Sequence, residues 1–89
     1  MRPHRRRIRT DVAERVVQPF SDWWADTLYR YHVRQGAGTA IAEHRVRQLV
    51  DRCADHPNVR ITCDGVERAC PGHAFEELRH AGFDVQPVL

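Results

Sequence analysis

Val59-Arg60-Ile61-Thr62-Cys63-Asp64-Gly65-Val66-Glu67-Arg68-Ala69 is the stretch on which the fold turns. Its first five residues alternate apolar and polar, the period of a strand with one buried face. Asp64-Gly65 is a tight-turn pair, because both residue types tolerate the positive φ that a two-residue hairpin turn needs. Val66 to Ala69 then run back as a short second strand. Pro71 suits the first position of a helix, and the pattern predicts that helix over 72–80, with Ala74, Phe75 and Leu78 turned inward. Gly82 reads as its left-handed C-cap, and Phe83 to Val88 as a last strand.

Upstream of this unit the period changes from two to about 3.6. Ala42, Val46, Leu49, Val50 and Cys53 form an apolar stripe on a helix that Thr39 caps. Glu43 and Arg47 are an i,i+4 pair of the favourable polarity on it, and Pro57-Asn58 breaks it. Before that, Ser21 is an N-cap candidate with Asp22 in the first turn. Trp23, Trp24, Thr27, Leu28, Tyr31 and His32 fall on one broad face of a helix over 22–35, which Gly36-Ala37-Gly38 stops. Val12, Val16 and Val17 are at helical spacing, with Pro19 ending or kinking that segment. The expected fold class is therefore α/β: one small domain, N-terminal helices followed by a strand-turn-helix-strand unit with a short sheet.

Eighty-nine residues suffice for one domain and leave no room for a separate catalytic one. The chain has no lysine, and five of its fourteen arginines lie in the first nine residues, where there is no acid. From Thr10 onward nine arginines face twelve acids, a balance of −3. Residues 1–9 are read as a flexible arginine-rich arm and residues 10–89 as a mildly acidic body. The planar guanidinium fork suits phosphates and carboxylates, so Arg5, Arg6, Arg7 and Arg9 point to an anionic partner. No apolar run approaches the ~20 residues of a membrane span, and no hydrophobic segment follows Arg5-Arg6-Arg7 as in a leader. The expectation is a cytoplasmic protein that does not bind membranes. Three cysteines suit reduced thiols better than a disulfide framework.

Cys53-Ala54-Asp55-His56 and Cys70-Pro71-Gly72-His73 each set two soft ligands at short spacing, and a hairpin lies between the pairs. Four such donors could hold zinc in a treble-clef-like module. Cys53 also completes the apolar stripe, so the reading taken is core cysteines with surface histidines, and no metal or other cofactor. Cys70 as an N-cap would have its thiol pKa lowered by the helix dipole, with His73 one turn on as a base. No oriented third group is visible, and no catalytic residue is assigned. Gly36-Ala37-Gly38 lacks the strand and the third glycine of a phosphate-binding loop.

Residues 39–78 resemble a small stand-alone STAS-like domain. The resemblance rests on Thr39-Ala40-Ile41-Ala42-Glu43 opening a helix, on the strand ending in Asp64-Gly65-Val66, and on Phe75-Glu76-Glu77-Leu78. It implies a βαβα regulatory module that works through protein contacts. Where the family carries a phosphorylatable serine, this chain has Cys70-Pro71-Gly72.

The functional expectation is a small non-enzymatic regulatory or protein-interaction module. Its partner-binding candidates are Arg5, Arg6, Arg7, Arg9, Trp23 and Trp24, because adjacent helical residues point about 100° apart and cannot share one narrow seam. Two alternatives stand beside it. One is a nucleic-acid-binding protein using the arm, with Trp24 or Tyr29 stacking on bases. The other is the zinc module built on Cys53, His56, Cys70 and His73. Open sheet edges also allow a homodimer.

Overall fold

A computed structural model describes residues 19–89. The arginine arm and the Val12-Val16-Val17 segment lie outside the described residues. In chain order the elements are α1 (Trp23–Arg34), α2 (Thr39–Cys53), β1 (Asn58–Cys63), β2 (Val66–Pro71), α3 (Gly72–His80) and β3 (Val85–Pro87). The described residues form an α/β domain, with three helices and a three-stranded antiparallel sheet of order β2-β1-β3.

The hairpin sets the frame. Asp64 and Gly65 sit at φ 50° and 86°, the pair of left-handed residues that matches the twist of the flanking strands. Their turn fixes the β1–β2 register from Cys63↔Val66 to Asn58↔Pro71. On its other side β1 pairs with β3, from Cys63↔Val85 to Ile61↔Pro87, and the Val88 N–H extends the pairing to the Arg60 carbonyl at 3.1 Å. Both outer strands are antiparallel to β1 and hence parallel to each other, so α3 is the crossover of a split βαβ unit.

Register also divides the faces. Ile61, Cys63, Cys70 and Val85 point into the core, while Arg60, Thr62, Glu67 and Gln86 face the opposite side. Arg60 and Glu67 form an ion pair on that outer face. The three helices supply the rest of the core: Trp24, Ala25, Leu28 and Tyr29 from α1, Ala42, Val46, Leu49 and Cys53 from α2, Ala74 and Leu78 from α3. Val50 packs half-buried against it. The α2 stripe is thus in place, and Arg47 donates to Glu43 at 2.9 Å as the spacing predicts.

The helix ends depart from expectation by one residue. Asp22, not Ser21, is the N-cap of α1, and Gly38, not Thr39, that of α2; neither cap makes a side-chain hydrogen bond. Pro71 is the N-cap of α3 rather than its first helical residue. The stops are as read: Gly36 and Gly82 take φ 99° and 100°. The Ala37 N–H reaches back to the His32 carbonyl at 3.1 Å and the Phe83 N–H to that of Leu78 at 3.1 Å, the closure that satisfies last-turn carbonyls. The last strand is shorter than expected, because Phe83 packs against the core and Asp84 is tied to the hairpin.

A cleft between the first helix and the hairpin

Trp23 and Trp24 part company at the start of α1. Trp24 is 5% exposed and belongs to the core, as does Tyr29 at 8%, so neither offers a free ring for a base to stack on. The buried face runs through Trp24, Ala25, Leu28 and Tyr29, while Tyr31 and His32 stay half-buried. Of the broad face of Trp23, Trp24, Thr27, Leu28, Tyr31 and His32 that the spacing grouped, Trp24 and Leu28 are at its buried centre, and Ala25 and Tyr29 extend it on one side. That leaves Trp23 half-buried at the open edge of β2, where its indole Nε1 donates to the Ala69 carbonyl at 2.7 Å. The bond occupies a backbone acceptor on an edge strand, a group otherwise open to pairing with another chain.

Arg68 completes the arrangement. Strand alternation places it on the same face as Val66 and Cys70, opposite Ile61. A guanidinium cannot enter the core unpaired, so it reaches over the strand edge and stacks on the Trp23 ring, 4.8 Å from its centroid. Such a cation–π contact is worth about 0.5–1 kcal/mol at an exposed site.

Beside this pair, between α1 and the hairpin, lies a cleft of about 370 Å³, lined by Trp23, Asp26, Thr27, Cys63, Asp64, Val66, Arg68 and Phe83. That is at the small end of ligand-sized pockets. Asp26 Oδ2 accepts a hydrogen bond from Arg30 Nε at 2.9 Å, while its Oδ1 is buried and accepts none among the described residues. An unmatched buried acceptor of this kind costs about 1–3 kcal/mol. On the hairpin side Asp64 is held rigidly. Its N–H donates to the Asp84 carbonyl at 2.8 Å and its Oδ1 accepts the Asp84 N–H at 3.1 Å. Asp26 and Arg68 carry this site together with Trp23, and the sequence reading passed over both. The signal for Arg68 was present: a charge at the inward phase of Val66-Arg68-Cys70.

The two Cys-x-x-His pairs do meet at one corner, where α2 ends and α3 begins. The His56 and His73 rings lie edge to face, 4.7 Å between centroids, and both are exposed. Below them Cys53 and Cys70 are turned into the core, at 5% and 0% exposure. Thiols inward and imidazoles outward do not converge on one point, and among the described residues no three His, Cys, Asp or Glu side chains are placed to hold a metal ion. Purified protein is accordingly expected to carry no stoichiometric zinc, and its melting temperature to be unmoved by a chelator. Metal analysis giving one zinc per chain, lost together with the fold in Cys70→Ser, reverses that expectation.

Cys70 does not act as an N-cap. It precedes the Pro71 cap, and burial, reinforced by the neighbouring Cys63 and Cys53, pushes its thiol up to about 11. Burial likewise raises Cys53 and Cys63. The helix-dipole activation expected for Cys70 is thus overridden by desolvation, and the thiol is protonated at neutral pH. Arg5, Arg6, Arg7 and Arg9 lie outside the described residues. No helix among those described is long and apolar enough to cross a membrane. No family model, no curated protein and no solved structure matches this chain.

Proposed function

We propose that this protein is a small non-enzymatic regulatory or interaction module that grips a protein partner at the Trp23–Arg68 cleft. The observation that carries the reading is the stacked Trp23–Arg68 pair, half-exposed beside a cleft and fixed to the edge of a rigid hairpin. Tryptophan and arginine are the residue types that dominate binding energy at protein interfaces, and they do so best where the free protein already holds them in place. The resemblance of residues 39–78 to a STAS-like domain belongs with the same reading. The arm, with its five arginines, would steer an acidic region of that partner and act mainly on association rate.

The test is capture with purified full-length protein. Wild type is expected to retain a specific partner at physiological salt. Trp23→Ala, with its fold verified by circular dichroism, is expected to weaken that capture by about thirtyfold, the ~2 kcal/mol of an interface hot spot. Undiminished capture by Trp23→Ala removes the cleft from the interface.

Nucleic-acid binding through the arm is the second reading, supported by the arginine run alone and opposed by the −3 balance of the body. Each phosphate contact releases counterions, so log affinity falls with log salt at about −0.9 per contact, and five arginines give a slope of about −4. Submicromolar binding at physiological salt with that slope, flattened in the Arg5, Arg6, Arg7 triple alanine variant, would place this reading first.

A further inference from the structure

We propose that the free edge of β2 is a self-pairing surface held shut by Trp23 and Arg68, and that what they shut out is a second copy of this chain. The inference concerns the protein alone, so its failure would leave the partner reading where it stands.

Strand phase picks out the edge. The Asp64 N–H donates to the Asp84 carbonyl and the Val88 N–H to that of Arg60. Residues 60, 62 and 64 therefore turn their backbone groups toward β3, and residues 59, 61 and 63 turn theirs toward β2. It follows that Val66, Arg68 and Cys70 bond to β1, while Glu67, Ala69 and Pro71 face away from the sheet. On the opposite edge the outward residues are Val85 and Pro87. Proline has no N–H, so each edge is blunted at one outward position. That leaves β3 with Val85 alone to offer both groups. On β2 it leaves Glu67 and Ala69, alternate residues on a strand edge, which is a template for another strand.

This edge is complementary to itself. Two copies set antiparallel about Arg68 bring Glu67 of each opposite Ala69 of the other. Each such pair exchanges both backbone hydrogen bonds, and two three-stranded sheets become one. Trp23 stands against it. Its Nε1 already donates to the Ala69 carbonyl at 2.7 Å, and any register that uses that carbonyl must break the bond. Arg68 adds a second obstacle. The two-fold axis sets it directly opposite its own copy, at a position where Cα atoms lie ~4.5 Å apart. Like charges placed so are destabilising. The stack of Arg68 on the indole, 4.8 Å from the ring centroid, joins the two devices, since the guanidinium that repels a copy also holds the ring over the edge.

The experiment is sedimentation equilibrium on full-length protein. Wild type is expected to be monomeric. Trp23→Phe keeps a ring for Arg68 and removes the donor, and it is expected to self-associate about tenfold more tightly than wild type, ~1.4 kcal/mol. Adding Arg68→Thr is expected to tighten association further. A charge swap reads the axis itself: Trp23→Phe mixed with Trp23→Phe/Arg68→Glu is expected to form the mixed dimer in preference to either homodimer. In that dimer the Glu67 and Ala69 amide protons are expected to exchange with solvent more slowly than in wild type. Should Trp23→Phe not fold, Trp23→Leu carries the same expectations. Association of Trp23→Phe no tighter than that of wild type overturns the proposal. So does a dimer indifferent to the charge at position 68, or one that leaves the Glu67 and Ala69 amides unprotected, because such a dimer forms through another surface.

Discussion

Leu49→Ala is expected to lower the stability of this domain by about 2–5 kcal/mol. Leu49 is 4% exposed and lies mid-stripe on α2, among the core residues from all three helices and the sheet. Truncation removes the transfer energy of its lost carbons and leaves a cavity, and the second term depends on how far the surroundings can collapse. Collapse is limited here because Ile61 and Leu78 are already nearly fully buried on elements pinned by the hairpin and by the α3 crossover. Small domains have net stabilities of about 0.05–0.15 kcal/mol per residue, so a loss at the upper end would unfold a large fraction of the molecules at 25 °C. Urea denaturation of the variant beside wild type reads the effect as a shift in midpoint at constant slope. A change within about 0.5 kcal/mol would mean that α2 presents some other face to the core.

Leu49 was legible in the sequence because everything that places it is local. A stripe at helical spacing needs only its own residues, and so do the Asp64-Gly65 turn and the glycine stops at Gly36 and Gly82. From such local signals the element order and the hairpin follow. Phase was harder where local signals conflict. Ser21 and Asp22 are both competent N-caps, and two adjacent tryptophans leave the apolar face of α1 open by a full step of 100°. The structure resolves the choice by burying Trp24 and Tyr29 and by giving Trp23 to the strand edge.

The cleft lies further out of reach. Its defining bond joins Trp23 to Ala69, 46 residues apart, and no spacing rule spans that distance. Even so, one half of it left a trace. An arginine at the inward phase of a strand is a local contradiction, and such contradictions gather where a chain serves something besides its own core. The Cys-x-x-His pairs teach the converse. Their spacing suggested a metal, and the chain does bring them to one corner, but strand and helix phase turn the thiols inward and leave the imidazoles outside. Proximity in sequence fixed which donors meet, and side-chain direction decided that they do not converge.

The same inward direction makes Cys70 a sensor of alkaline pH. With a thiol pKa of about 11 in the fold against 9.0 for an ordinary thiol, the native state keeps a proton that the unfolded chain releases. The unfolded state then binds fewer protons, so unfolding becomes easier as pH rises. The stabilising contribution is whole below pH 9 and is lost as pH climbs through 11. A hundredfold difference in proton affinity corresponds to about 3 kcal/mol. Cys53 and Cys63 are raised as well, which adds to the loss with the same sign. Urea midpoints measured under reductant from pH 7 to 11 should therefore hold steady and then fall. Cys70→Ala should fall less steeply, and that difference isolates the Cys70 thiol from every other group that titrates in the range. A second reading follows from the same burial. Only the thiolate attacks a disulfide reagent, so at pH 8 native Cys70 should be labelled no faster than the domain opens, and a denatured sample at once. Labelling of native Cys70 at the rate of a free cysteine would mean an exposed, ionised thiol, and would return it to candidacy as a nucleophile with His73 as its base.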